Sequence, residues 1–257
     1  MPSDSNLKAN NRHILNGDAL YDQFPDDWKD QCIIVRECLM EGPVKASGLE
    51  ELYKIRSAYL DSTYGEITHL NYEEDVISEF NKIQRIQPTD EIFLWFEDDL
   101  FCQVNFWFIS HLLCTKRRTG NSFLIRPDRA SQYGFGGYSR RQLRGLFQHK
   151  KPIKDLSVFA ALWSSYQEGD FDALLEKAMK MQEDYPFVLP AVKAQLTRIP
   201  VNGDKGQPEI ALREIMLRQG SDNFGEIFKS FCREYPIYGF GDLQIKRIFE
   251  EIRDNEI

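Results

Sequence analysis

EIFLWFEDDLFCQVNFWFISHLLC, residues 91–114, carries the decision about fold class. After Glu91 the run to Phe96 is apolar and rich in aromatic side chains, which suits a buried strand. Glu97–Asp98–Asp99 follows, and carboxylates are favoured at the positive end of a helix. Leu100 to about Thr115 then reads as a long, mostly apolar helix. Within it, Val104 to Cys114 is interrupted by Asn105, Ser110 and His111, and it falls short of the roughly 20 residues a membrane helix needs. A buried helix is expected. The aromatic series Trp95, Phe96, Phe101, Phe106, Trp107 and Phe108 is accordingly read as core rather than as a base-stacking surface.

The same alternation extends outward in both directions. Arg12 to Leu15 runs apolar into Asn16–Gly17–Asp18, Gln31 to Val35 ends at Arg36–Glu37, and Asn121 to Ile125 ends at Arg126–Pro127–Asp128. Each is a strand candidate closed by polar groups. Between them, Gly48 to Leu60 and Tyr72 to Ile86 carry apolar residues at helical spacing, the second stopped by Pro88. Four short apolar strands separated by helices predict an α/β fold: a three-layer, mainly parallel sheet over residues 1–130, covered on both faces.

Residues 131–257 are expected to form an all-helical second domain. A glycine-rich hinge, Tyr133 to Gly137, leads to a helix capped by Ser139 and carrying Leu143, Leu146 and Phe147. Asp155 to Tyr166, Phe171 to Met181 and Leu189 to Leu196 continue the helical pattern, and Val201 to Gln207 is a polar loop. Pro208 to Arg218, Asn223 to Arg233 and Asp242 to Ile252 would form a three-helix subdomain over 208–257, a helix-turn-helix-like end. Asp242 is read as the cap of its last helix.

With 257 residues, 42% hydrophobic and 28% charged, the chain is neither a short disulfide scaffold nor wholly disordered. Its formal charge is −8, all of it arising within residues 1–130, which disfavours a polyanion as general partner. The final segment, 208–257, holds 7 basic and 10 acidic groups. Nucleic acid is therefore an unlikely partner even with Arg213, Arg218, Lys246 and Arg247 nearby. The N-terminal residues lack the order of an export signal. Five cysteines, without a CxxC pair, suit free thiols in a reducing compartment. A cytoplasmic protein without membrane contact is expected, with a small phosphorylated ligand and either a second copy or another protein as partners.

In open parallel sheets, ligands bind beyond the carboxyl ends of the strands. That rule directs attention to Asn16–Gly17–Asp18, to Arg36 and Glu37 with Glu41 beyond them, to Glu97 and Asp99, and to Arg126. Neither GxGxxG nor GxxxxGK[ST] is present, so no dinucleotide or P-loop fingerprint applies. His13 stands near the start of its strand and is read as structural or superficial. Should Asp18, Glu37, Glu97 and Asp99 converge, Mg²⁺ or another oxygen-seeking cation could neutralise them, or an arginine such as Arg56 or Arg126 could pair with them and hold a substrate's phosphate or carboxylate. The expected catalytic groups are Asp18, Glu37 and Glu97, with Asn16, Gly17, Glu41, Arg56, Asp99 and Arg126 as ligand contacts. The leading expectation is an enzyme of metal-assisted phosphoester or nucleotide chemistry. The alternative is a non-catalytic module that senses a ligand or docks a protein.

HILNGD, CLMEGPV with the following KIRSAYL helix, and LWFEDDLFCQVNFWFI together resemble the family called domain of unknown function 1835. The matching regions are His13 to Asp18, Glu41 to Val44, Arg56 and Phe96 to Gln103. The resemblance extends through YSRRQL, LPAVKAQL and the final GFGD. It implies the same architecture and adds Gln103 to the candidate ligand contacts, without supplying a reaction. Asp98 stands where that family often carries a histidine, which weakens any mechanism needing an imidazole there.

Overall fold

In a computed structural model, the structure describes residues 10–68, 70–128, 134–200 and 205–254. The chain is α/β. Strands β1 (Asn11–Asn16), β2 (Cys32–Val35), β3 (Glu91–Trp95), β4 (Ser122–Ile125) and β5 (Lys151–Pro152) form one sheet in the order β2-β1-β3-β4-β5. The first four are parallel and β5 is antiparallel to β4. The described residues also form eleven α-helices: α1 (Asp18–Asp22), α2 (Leu49–Thr68), α3 (Ser78–Gln84), α4 (Leu100–Cys114), α5 (Arg140–Gln148), α6 (Ser157–Glu168), α7 (Phe171–Lys180), α8 (Val188–Arg198), α9 (Gln207–Gln219), α10 (Phe224–Glu234) and α11 (Asp242–Asp254). Among the described residues no helix is long and apolar enough to cross a membrane.

The chain makes two compact units from interleaved segments. Unit 1 comprises Met1–Cys38, Leu70–Glu97 and Asn105–Trp163; unit 2 comprises Leu39–His69, Asp98–Val104 and Ser164–Ile257. Each unit is assembled from three separate stretches, so neither coincides with residues 1–130 or 131–257.

In unit 1, β1 is central because it pairs with β2 on one side and β3 on the other, His13 lying opposite both Cys32 and Phe93. Such a strand needs apolar residues on both faces, and Ile14, Leu15, Ile92 and Leu94 are fully buried. Trp95, Phe96, Phe106, Trp107 and Phe108 are also fully buried, the core role expected of them.

Three local details differ from the sequence reading. β5 lies within the region read as all-helical; two residues cannot display an alternating pattern, and its pairing is set by β4, with Ile153 N–H donating to Ser122 O at 2.8 Å. Tyr72 to Ile86 is not one regular helix, because Glu73–Ile77 is wound as a π-turn before α3 begins. Asp242 is the first residue of α11 rather than its cap; Gln244 Oε1 accepts the Gly241 N–H instead, at 2.9 Å. Ser139 caps α5 as expected, in a reciprocal box with Gln142. Of the proposed hinge, Tyr133 lies outside the described residues, and Gly134–Gly137 is a 3₁₀ turn. Residues 201–204 of the expected polar loop also lie outside them.

One face of the sheet is an aromatic layer with a histidine inside it. His13 is 2% exposed, stacked on Trp28 and Phe93 at centroid distances of 5.1 and 5.0 Å, with Phe24 edge-on at 5.4 Å. The indole N–H of Trp95 donates to its Nδ1 at 3.0 Å, so Nε2 carries the proton of the neutral ring. Burial lowers the His13 pKa from 6.5 to about 4. The unfolded chain takes up this proton near pH 6.5 and the folded chain only near pH 4. Stability from the neutral imidazole is therefore complete above the unfolded value and is lost as pH falls towards the folded one, about 3 kcal/mol in all. Urea unfolding at a series of pH values should show a flatter profile across this window for His13→Phe than for the parent. At neutral pH the variant should itself be weaker, because the Trp95 N–H has lost its acceptor.

Candidate functional site

The strand order changes direction at β1, whose neighbours are β2 and β3. This places the topological switch point beyond the carboxyl ends of β1 and β3, where Asn16–Gly17–Asp18 and Glu97 lie. Gly17 has φ +90°, a conformation that L side chains rarely adopt, and nothing stands within 4 Å of where a Cβ would project. Glycine is required there by backbone angle, not by crowding. The backbone between β1 and α1 is thus left approachable.

Asp18, Glu37 and Glu97 of unit 1 are held in different ways. Asp18 makes a two-pronged pair with Arg36, at 2.8 Å from Nε to Oδ2 and 2.7 Å from Nη2 to Oδ1. The side-chain bond to Asp18 is the main reason the Arg36 pKa rises above its ordinary value. This pairing role was expected of Arg56 or Arg126; Arg36, adjacent in sequence to Glu37, fills it. Its guanidinium also reaches the buried Glu79 at 3.9 Å, whose Oε2 accepts the Ile34 N–H at 3.0 Å.

Glu37 is 4% exposed. The Tyr72 hydroxyl donates to its Oε1 at 2.8 Å and the Cys38 N–H to its Oε2 at 2.6 Å. Glu97 Oε1 accepts the Phe135 N–H at 2.5 Å. A Cβ on Gly134, at φ +60°, would stand 1.9 Å from that same oxygen, so the 3₁₀ turn closes on Glu97 only with glycine there. Arg126 follows β4 at the same end of the sheet and is partly exposed.

Asn105 joins two of these strand ends. Fully buried on α4, it donates from Nδ2 to Asn16 Oδ1 at 2.9 Å and to the Glu37 carbonyl at 2.6 Å. The sequence reading did not select Asn105 or Tyr72. For Asn105 a signal was present, since it is a polar side chain inside an otherwise apolar helix and must find partners when buried. Tyr72 gave none, because its hydroxyl meets Glu37 only through the fold.

Unit 2 holds the other candidates. Glu41 is 4% exposed; its Oε2 accepts the Tyr64 hydroxyl at 2.6 Å and its Oε1 accepts Arg247 Nη2 at 2.9 Å. Burial opposes the charge on Arg247, yet the Glu41 carboxylate and Tyr64 hydroxyl hold its pKa above the ordinary guanidinium range. Arg56 is fully buried and donates to the carbonyls of Glu41 and Pro43. The neighbouring carbonyls of Leu39, Met40 and Val44 accept from Tyr166, Arg198 and Gln167. Arg56 thus shapes the loop after Cys38. Asp99 caps α4, its Oδ1 accepting the Cys102 N–H at 2.9 Å, and a Cβ on Gly239 would meet that oxygen at 1.9 Å. Gln103 is fully buried one turn into α4.

No protein-family model, curated protein or solved structure matches this chain.

Asn105→Leu keeps the branching and heavy-atom count of the side chain and removes both bonds, leaving Asn16 Oδ1 and the Glu37 carbonyl with one donor fewer. The expected loss is about 2–3 kcal/mol of unfolding free energy in urea titration. A neutral substitution would show that the clasp contributes nothing.

Proposed function

We propose that unit 1 binds a phosphate-containing small molecule or nucleotide, with Mg²⁺, at the carboxyl ends of β1 and β3, and promotes metal-assisted phosphoester or nucleotide chemistry there. The observation that carries this reading is the switch point itself, flanked by the open backbone at Gly17 and by Glu97. Three carboxylates, Asp18, Glu37 and Glu97, against two guanidiniums, Arg36 and Arg126, leave the strand ends acidic. An anionic ligand would therefore need a cation to approach. Asp18 and Glu97 are the groups that would carry it. The Asp18–Arg36 pair is half-exposed on the aspartate side, so exchanging it for a cation and a phosphate would cost little. Arg36 and Arg126 would then face the phosphate.

A second reading, a non-catalytic module that senses a ligand or docks a protein, is favoured by one feature. Glu37 and Asp18 already have partners within the protein, as structural carboxylates do. Under either reading the sheet is a three-layer, Rossmann-like unit, and α9 to α11 form a helix-turn-helix-like end used for docking rather than for DNA. Pairing of Arg213 with Glu209, Arg218 with Glu234, Lys246 with Glu250 and Arg247 with Glu41 supports docking, since those bases are already neutralised. Cytoplasmic residence and the likeness to the domain of unknown function 1835 family belong to the same proposal. Five free thiols support the first of these.

Calorimetry with nucleoside phosphates and sugar phosphates, with and without MgCl₂, tests the site. Binding should require Mg²⁺ and weaken about tenfold or more in Asp18→Ala and Glu97→Ala. Phosphate release from a bound nucleotide would establish the enzyme, and binding without turnover the sensing module. Absence of binding to every compound overturns the enzyme and the ligand-sensing module alike.

A further inference from the structure

Between Tyr138 and Lys154 the chain carries six Lys and Arg residues and no Asp or Glu, in a protein whose net charge is −8. This stretch comprises α5 and β5, both in unit 1. At 100° per residue Arg140, Arg144 and Arg141 fall within one arc of α5, and Leu143, Leu146 and Phe147 form the adjoining arc that packs on the aromatic layer. Lys151 follows on the edge strand, and both Arg141 and Lys151 are exposed.

What touches the stripe shows the chemistry it accepts. The 3₁₀ segment Asp26–Gln31 offers adjacent carboxylates and an indole: Asp26 pairs with Arg140 at 2.8 Å, Asp27 pairs with Arg144, and the Arg144 guanidinium lies 4.7 Å from the Trp28 ring centre. Both ion pairs are solvent-exposed, so they are weak and exchangeable. Among the described residues Arg141 and Lys151 make no ion pair.

We infer that the α5–β5 face is a docking surface for a short acidic segment of a partner protein. Charge complementarity selects an anion, and two features select a peptide over nucleic acid. The aromatic rings at this face are already covered by cations, Arg144 over Trp28 and Lys150 over Phe147 at 4.4 Å, which leaves no platform for stacked bases. The face is also small. Nine residues of α5 span about 13 Å, so a long polyanion would run past it towards a chain that is acidic overall, beyond the roughly 8 Å over which salt screens charge. This inference does not depend on the proposed phosphate site.

The test is fluorescence anisotropy of a labelled ten-residue oligo-glutamate peptide with the full chain, beside an oligothymidylate of equal charge. The peptide should bind in a salt-sensitive manner. Arg141→Glu/Lys151→Glu should weaken it about tenfold or more, while the equally charged control Lys193→Glu/Lys229→Glu, exposed on α8 and α10, changes it less than about threefold. Circular dichroism of both variants checks that each remains folded. Equal losses in the two variants, no peptide binding at low salt, or tighter binding of the oligothymidylate would each overturn the assignment.

Discussion

Parallel pairing of β1 with β2 on one side and β3 on the other is the constraint from which the rest of unit 1 follows. A strand flanked on both edges and covered on both faces can carry a polar side chain inside only if that group is neutral and hydrogen-bonded, and carries its charged groups where it ends. In this protein those ends are Asn16, Arg36, Glu37, Glu97 and Arg126, and parallel pairing sets the ends of β1 to β4 along one edge of the sheet. The same requirement explains His13. A ring buried within that strand must be neutral, and the Trp95 indole provides its partner.

Placing several carboxylates beside buried backbone creates a second requirement, that each be neutralised or hydrogen-bonded. The protein meets it locally and differently in each case: a guanidinium for Asp18, a phenol and a backbone amide for Glu37, a backbone amide for Glu97. These solutions differ in how readily they open to a ligand. The Asp18 pair is solvent-facing and exchangeable, whereas Glu37 is buried beneath Tyr72. The proposed site for an anion accompanied by a cation therefore draws on Asp18 and Glu97 rather than on Glu37.

Much of the fold could be read directly from local pattern. EIFLWF, CIIV and the apolar helix from Leu100 announced themselves because burial on both faces leaves no polar alternation to confuse them. Ser139 could be read as a cap from its residue type and its place ahead of Leu143, Leu146 and Phe147. The two-residue β5 and the π-turn at Glu73–Ile77 could not be read this way. Neither has a pattern of its own; one exists through hydrogen bonds to a distant strand, the other through the packing of the helix it opens.

The candidate site divides along the same line. Residue types and their positions after apolar runs are local properties, and from them the sequence determined that acidic and amide side chains would stand at strand ends. Partnership is not local. That Asp18 meets Arg36 rather than Arg56 or Arg126, that Tyr72 covers Glu37, and that Asn105 ties Asn16 to the Glu37 carbonyl are contacts across 18 to 89 positions of chain. Only the tertiary structure decided them, because strand order and helix placement set which side chains come within hydrogen-bonding distance.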